Sequence, residues 1–182
     1  MIISPEQTSY VEGRQILDGI ILTHKVIHSL KTSKKPCMLL QIDFSKAFDK
    51  ISWDYIKNVL TAFGFSHTWV RWIMSLITSP FLSLFVNGIP SGIFNPSRGI
   101  RQGDPFSPFI FIIMAEGLGH LLKSSIQLGA LHGLPLYNLA PSSHQQFVDD
   151  NIIMGYPSVQ EAHTLKSLLD SFSNASDIEV SP

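Results

Sequence analysis

The chain has 182 residues, 45% hydrophobic and 15% charged. This suits one globular domain with a sizeable core and excludes a disordered chain. Its formal net charge is -1, so it lacks the basic excess with which a free-standing nucleic-acid binder neutralises phosphates. The cations are uneven, however: Arg14, Lys25, Lys31, Lys34, Lys35, Lys46 and Lys50 all fall within the first 50 positions. So thin a charge also suits a piece whose surface is partly covered by other protein.

From the N-terminus, Glu6 and polar neighbours interrupt any apolar run, so no signal peptide is expected. Ile16, Leu17, Ile20, Ile21, Ile27 and Leu30 share one helical stripe, which predicts a helix from about Arg14 to Leu30. The basic turn at 31–36 ends in Pro36 and stops it. Cys37 is the single cysteine, so no intramolecular disulfide forms and a reducing, intracellular setting fits. With no partner motif nearby, Cys37 reads as a small apolar residue entering a strand. That strand, Met38 to Ile42, is short, apolar and closed by Asp43, so it is expected to be buried.

Trp53 to Phe63 and His67 to Ile77 read as two helices divided by Gly64, with Trp53, Trp69 and Trp72 in the core. Phe81 to Val86 and Ile89 to Phe94 are strands joined through Asn87-Gly88, a strong hairpin signal. Ser107 to Lys123 is a helix with Pro108 in its first turn. Its apolar run Phe109–Ala115 has seven residues, against the about 20 that span a bilayer, so a buried helix and no membrane association are expected. His144 to Val148 and Ile152 to Gly155 flank Asp149-Asp150-Asn151 as short strands, and Ser158 caps a last helix reaching about Phe172. Strands and helices alternate, yet hairpins are present. The fold class is therefore α+β, with helices packed on one face of a mostly antiparallel sheet.

Three carboxylates stand where a half-buried sheet ends: Asp43, Asp149 and Asp150. Burying acids is costly unless a cation or donor neutralises them. Brought together, they would form an oxygen-rich site of the kind Mg²⁺ prefers. Taken alone, the three residues fit turn and cap chemistry better than a metal site. His24 and His28 are four apart on one helix but have no third ligand, so an ordinary helix face is expected.

The surrounding text narrows this choice. Gln41-Ile42-Asp43-Phe44-Ser45-Lys46-Ala47-Phe48-Asp49 resembles the first palm motif of reverse transcriptases from LINE-type (non-LTR) retrotransposons. Gly99-Ile100-Arg101-Gln102-Gly103-Asp104-Pro105-Phe106-Ser107-Pro108 resembles their second, and Phe147-Val148-Asp149-Asp150 their F-x-D-D box. Trp53-Asp54, Ala115-Glu116-Gly117-Leu118 and the opening Gly13-Arg14-Gln15-Ile16-Leu17-Asp18 match the linking text, the last resembling plant elements. Three positions depart from the pattern: Val148 stands where alanine is usual, Asn151 replaces a small hydroxyl residue, and Lys25 stands in a helix where acidic residues are common.

The resemblance implies a polymerase-palm sheet and RNA-directed DNA polymerase activity with deoxynucleoside triphosphates, an RNA template and a DNA primer. It assigns Asp43, Asp149 and Asp150 as catalytic acids, and the same three with the Phe44 carbonyl as ligands of two Mg²⁺ ions, for which Mn²⁺ could substitute. Phe48 would screen the sugar, since a ring against C2′ leaves no room for a 2′-hydroxyl. Gln102 and Gly103 would lie along the nascent base pair, with Arg101 near phosphate.

Residues 1–36 are expected to be a remnant of fingers and connecting helix, and 37–182 a palm cut before the thumb. Further fingers, the thumb and an endonuclease domain would lie outside the chain, and its setting would be the nucleus or cytoplasm. The alternative is a catalytically inactive palm remnant acting at most as a weak interaction module. A nucleotide cyclase on the same palm is disfavoured by Phe48 and Gln102-Gly103.

Overall fold

The computed structural model describes residues 2–34, 36–136 and 139–181. Helix α1 (Ile16–Ser33) ends at Lys34, which adopts a left-handed φ of 50° and returns its N–H to the last turn. Strand β1 (Met38–Ile42) leads directly to Asp43, but it is an edge strand and not the buried one expected: Leu39, Leu40 and Gln41 are exposed and only Ile42 is buried. A two-residue strand β2 (Phe44–Ser45) and a single helical turn α2 (Ala47–Lys50) follow.

Helices α3 (Trp53–Ala62) and α4 (His67–Thr78) start at Ser52 and Ser66, whose hydroxyls accept from Tyr55 N and Trp69 N. Serine is favoured at this position because it satisfies an amide that the helix itself leaves unpaired. On α4 the buried residues are Val70, Ile73 and Ile77, spaced three and four apart. Trp72 lies off that stripe and is 64% exposed, contrary to the expectation that it is a core residue. Trp69 stacks on Phe65 at 4.3 Å.

β3 (Phe85–Val86) and β4 (Ile89–Pro90) form the expected hairpin. Asn87 and Gly88 both have positive φ, 50° and 80°, as a two-residue primed turn requires. The strands are shorter than the sequence suggested; beyond them Ser91 N donates to Leu84 O at 2.6 Å and the bridge Leu82–Phe94 continues the pairing. The hairpin's apolar side chains, Phe85 at 75% exposure among them, face solvent.

α5 (Ser107–Gln127) is apolar around most of its circumference and forms the axis of the core, with Phe111, Met114, Leu118 and Leu122 buried. It is long and apolar enough to match a bilayer, but 56% of that apolar window is buried within the fold. β5 (Leu134–Leu136) pairs with β6 (Leu139–Ser142). β7 (His144–Phe147) and β8 (Asp150–Gly155) form the second hairpin. α6 (Val159–Ser176) starts at Ser158, whose hydroxyl accepts from Glu161 N at 3.0 Å, and β9 (Glu179–Val180) returns to pair with β2.

The central sheet has the order β1-β8-β7 and is antiparallel throughout. Period-two alternation sends Ile42 and Ile153 into one apolar cluster with α3, α4, α5 and α6. Met154 and Ile152 point the other way, into a second cluster with Val26 and Leu30 of α1. The mixed helix and antiparallel-sheet architecture is the expected one. The main helical layer covers one face, and α1 lies against the other. Only the C-terminal half of α1 is buried; Ile16, Leu17, Ile20 and Ile21 remain exposed.

Candidate active site

Sheet register places the acids. The β1–β8 ladder ends at Ile42 opposite Asn151, so Asp43 follows one residue later and comes level with Asp150. Asp150 pairs with Phe147 at the mouth of the β7–β8 hairpin, leaving Val148 and Asp149 as its two-residue turn. The tip therefore lies closer to the N-terminus than the sequence suggested, because Asp150 and Asn151 already belong to β8. Asn151 is buried, and its Nδ2 donates to the Asp149 carbonyl at 2.9 Å, bracing the turn from behind. Val148 has φ 56°, uncommon for a β-branched residue.

Electrostatics agree with this placement. Burial pushes the Asp149 carboxyl above its usual range, and the neighbouring Asp150 and Asp43 push it further. Asp43 is exposed; its carboxylate accepts from Ser181 Oγ at 3.1 Å and its carbonyl from Ser181 N at 2.8 Å. Phe44 buries its ring against Phe172, at 5.5 Å between centroids, which anchors the backbone just after Asp43. Among the described residues, no group of three acidic, histidine or cysteine side chains is disposed to hold a metal by itself. Hard carboxylate oxygens still suit Mg²⁺, which keeps several waters and shares its shell with phosphates.

A second group sits beside the first. Phe48 is half-buried and stacked on Phe111 at 4.6 Å, with 14° between the rings. Segment 99–102 is laid onto α2: Ile100 N donates to Phe48 O at 2.7 Å, Gly99 N to Ile51 O at 2.8 Å, and Trp53 Nε1 to Gly99 O at 2.7 Å. Glycine is required at position 99. Its φ is +86°, and an added Cβ would stand 2.6 Å from the Asp49 carbonyl oxygen. Gln102 Nε2 donates to Asp49 Oδ1 at 3.1 Å. Arg101, Gln102 and Gly103 are exposed, and Asp49, Arg98, Arg101 and Gln102 help to line a hollow of about 300 Å³.

Several contributors carried no recognisable signal in the sequence. Residues 6–8 add a short parallel bridge to β7, with Gln7 opposite Gln146. Beneath the sheet, Lys123 pairs with Glu6 at 2.8 Å, and Glu116 accepts from Ser4 N and Oγ, both at 3.0 Å. A cavity of about 360 Å³ lies between α1 and the sheet, walled by Ile16, Ile20, His24, Gln41, Phe147 and Asp150. Polar residues in an irregular N-terminal segment reveal no partner from periodicity alone, so only tertiary packing identifies them.

Comparison with known proteins gives a consistent result. The family model for reverse transcriptase (RNA-dependent DNA polymerase) matches residues 1–182. An uncharacterized mitochondrial protein of Arabidopsis thaliana is 42% identical over 71 residues, 38% of this chain and 58% of that protein. The retrovirus-related Pol polyprotein of a type-2 retrotransposable element from Drosophila melanogaster is 30% identical over 149 residues, 82% of this chain and 13% of the polyprotein. In structure, telomerase from Candida albicans superposes with a TM-score of 0.66 at 11% identity, over 91% of this chain and 29% of telomerase. The chain thus spans well under two thirds of these relatives. The palm-like sheet, the order of the motifs and the match over the whole chain agree: this chain belongs to the reverse transcriptase (RNA-dependent DNA polymerase) family.

Proposed function

We propose that this chain supplies the nucleotidyl-transfer core of a longer RNA-directed DNA polymerase of the non-LTR retrotransposon type. The carrying observation is the sheet register, which brings Asp43 level with Asp150 beside the turn that holds Asp149; there burial, and after it Asp150 and Asp43, push the Asp149 carboxyl up. Such crowding is unfavourable for the chain alone and is relieved by divalent cations. Asp43, Asp149 and Asp150, with the Phe44 carbonyl, would hold two Mg²⁺ ions, Mn²⁺ being a possible substitute, together with water and triphosphate oxygens. When bound, the ions would stabilise the attacking and leaving oxygens of an in-line phosphoryl transfer.

The chain's own residues do the positioning. Phe48, held flat on Phe111, would present its ring to the sugar of the incoming nucleotide. Gln102, steadied by Asp49, offers an amide to the minor-groove edge of the new base pair. Arg101 offers charge to phosphate. Positioning matters because a fixed 3′-hydroxyl and triphosphate account for much of the rate in phosphoryl transfer. The partners are an RNA template, a DNA primer and deoxynucleoside triphosphates, and the compartment is intracellular, nuclear or cytoplasmic.

The test is primer extension by a polymerase containing this segment, on an RNA template with a DNA primer. Extension that requires Mg²⁺ or Mn²⁺ and disappears with chelator is expected. Absence of extension on RNA under those conditions would contradict the reading.

A further inference from the structure

Gln7 is fully buried at 0% exposure, although it lies in an irregular segment far from the aspartate turn in sequence. Its backbone neighbours fix it to the free edge of the sheet: Thr8 N donates to Gln146 O at 3.1 Å, and Gln146 N donates to Glu6 O at 2.9 Å. This orients the side chain along β7 toward the hairpin tip. There Gln7 Oε1 accepts two amides, Ser9 N at 3.0 Å and Val148 N at 3.2 Å.

Val148 is the residue before Asp149 and holds a left-handed φ of 56°. A β-branched residue keeps that conformation only where its surroundings over-determine it. Two side chains do so here. Asn151 donates to the Asp149 carbonyl, and Gln7 accepts from the Val148 amide. The loop carrying Gln7 is itself fastened by Arg14, whose guanidinium donates to Gln7 O at 2.6 Å, to Ile3 O at 3.3 Å and to Ser4 O.

We propose that Gln7 is a positioning residue for Asp149: by accepting the Val148 amide it fixes the turn that aims the Asp149 carboxylate. The catalytic consequence rests on the reading of Asp149 as a metal ligand; the contact itself does not. Gln7 touches no reacting atom and acts through the turn.

Amide exchange measured by NMR on the 182-residue chain tests the contact directly. In Gln7→Leu the volume and the backbone bridge remain but the acceptor is lost. The Val148 amide should then exchange roughly tenfold faster, with Ile153 and Met154 little changed. An unchanged Val148 rate would overturn the proposal. Should Gln7→Leu fail to fold, Gln7→Glu decides, because it keeps an acceptor at the same reach. Because the adjacent Asp149 titrates in the wild type as well, the readout is the difference: the Val148 amide proton of Gln7→Glu should show an additional pH-dependent shift between about pH 3 and 8, and a titration curve identical to that of the wild type would overturn the proposal.

In a polymerase containing this segment, Gln7→Leu should lower kcat roughly tenfold with little change in the KM for nucleotide, and Gln7→Glu should recover most of the loss. Equal kcat in all three would overturn the catalytic role. An inactive wild-type polymerase would overturn the reading of the site, and the catalytic half of this proposal with it, while the exchange measurement still decides the contact.

Discussion

The Gln102 side-chain amide donates to the Asp49 carboxylate across 53 positions of sequence, at 3.1 Å. This bond ties the segment after Gly99 to the end of the run that begins at Asp43. Both groups are exposed, so the bond contributes orientation more than stability. Asp49→Ala and Gln102→Ala should each reduce kcat/KM for extension by about three- to tenfold. The double variant should be scarcely worse than either alone, with a coupling of about 0.5–1.5 kcal/mol in a double-mutant cycle. Additive losses would mean that the two side chains act independently.

Phe48 is fixed on one side by Phe111, so its ring cannot swing away from an incoming sugar without breaking a core contact. Phe48→Val should admit ribonucleotides, reducing discrimination between deoxy- and ribonucleoside triphosphates by roughly ten- to hundredfold. Single-nucleotide incorporation measured with both sugars checks this. Unchanged selectivity would leave Phe48 as a core residue only.

Gly99 combines a positive φ with backbone contact, so Gly99→Ala meets both a torsional and a steric penalty. A loss of about 2–4 kcal/mol is expected. In a chain of this size that lowers Tm by roughly 5–15 °C in thermal unfolding. The Trp53 indole, bonded to the Gly99 carbonyl, should report the same change in its fluorescence.

Burial holds the His144 imidazole down to about 4, with Glu6 pulling it up and Lys123 adding to the depression. Its folded value lies below the usual 6.5, so the unfolded chain binds more protons between these limits. The stability this group contributes is complete above about pH 6.5 and is lost as pH falls toward about 4, by roughly 3 kcal/mol at most. The raised carboxyls of Asp149 and Glu116 act in the opposite sense, favouring the fold as they protonate. Denaturant unfolding from pH 7 to 4 should therefore show a shallower acid loss for His144→Gln than for the wild type. Parallel curves would contradict the buried neutral imidazole.

Much of the fold was legible because its signals are local. Met38–Ile42 is short, apolar and bounded by turn signals, which marks a strand although only Ile42 of it is buried; Ser158 marks a helix start, and Asn87-Gly88 marks a primed turn. The three acids were legible as candidates because Asp43 follows a strand and Asp149-Asp150 lie between two strands at a hairpin. Their convergence was not, since it depends on the register that sets Ile42 opposite Asn151, and register is a property of two distant segments. The exposed half of α1 shows the limit of periodicity, which identifies a helix but not what covers it. The β2–β9 pair, the bridge at Gln7 and the hydrogen bonds of Glu116 were hidden for the same reason: each is a long-range contact of short or polar segments with no repeating pattern.

The account turns on Asp149. Removing its charge while keeping its shape should relieve the repulsion from Asp43 and Asp150 yet remove the proposed metal ligand. Primer extension on RNA by a polymerase carrying Asp149→Asn, compared with the wild type, is the most direct measurement. A fall of about a thousandfold or more, with thermal stability equal to or above wild type, is the predicted result. Extension within a few fold of wild type would contradict the account and remove Asp149 from the site.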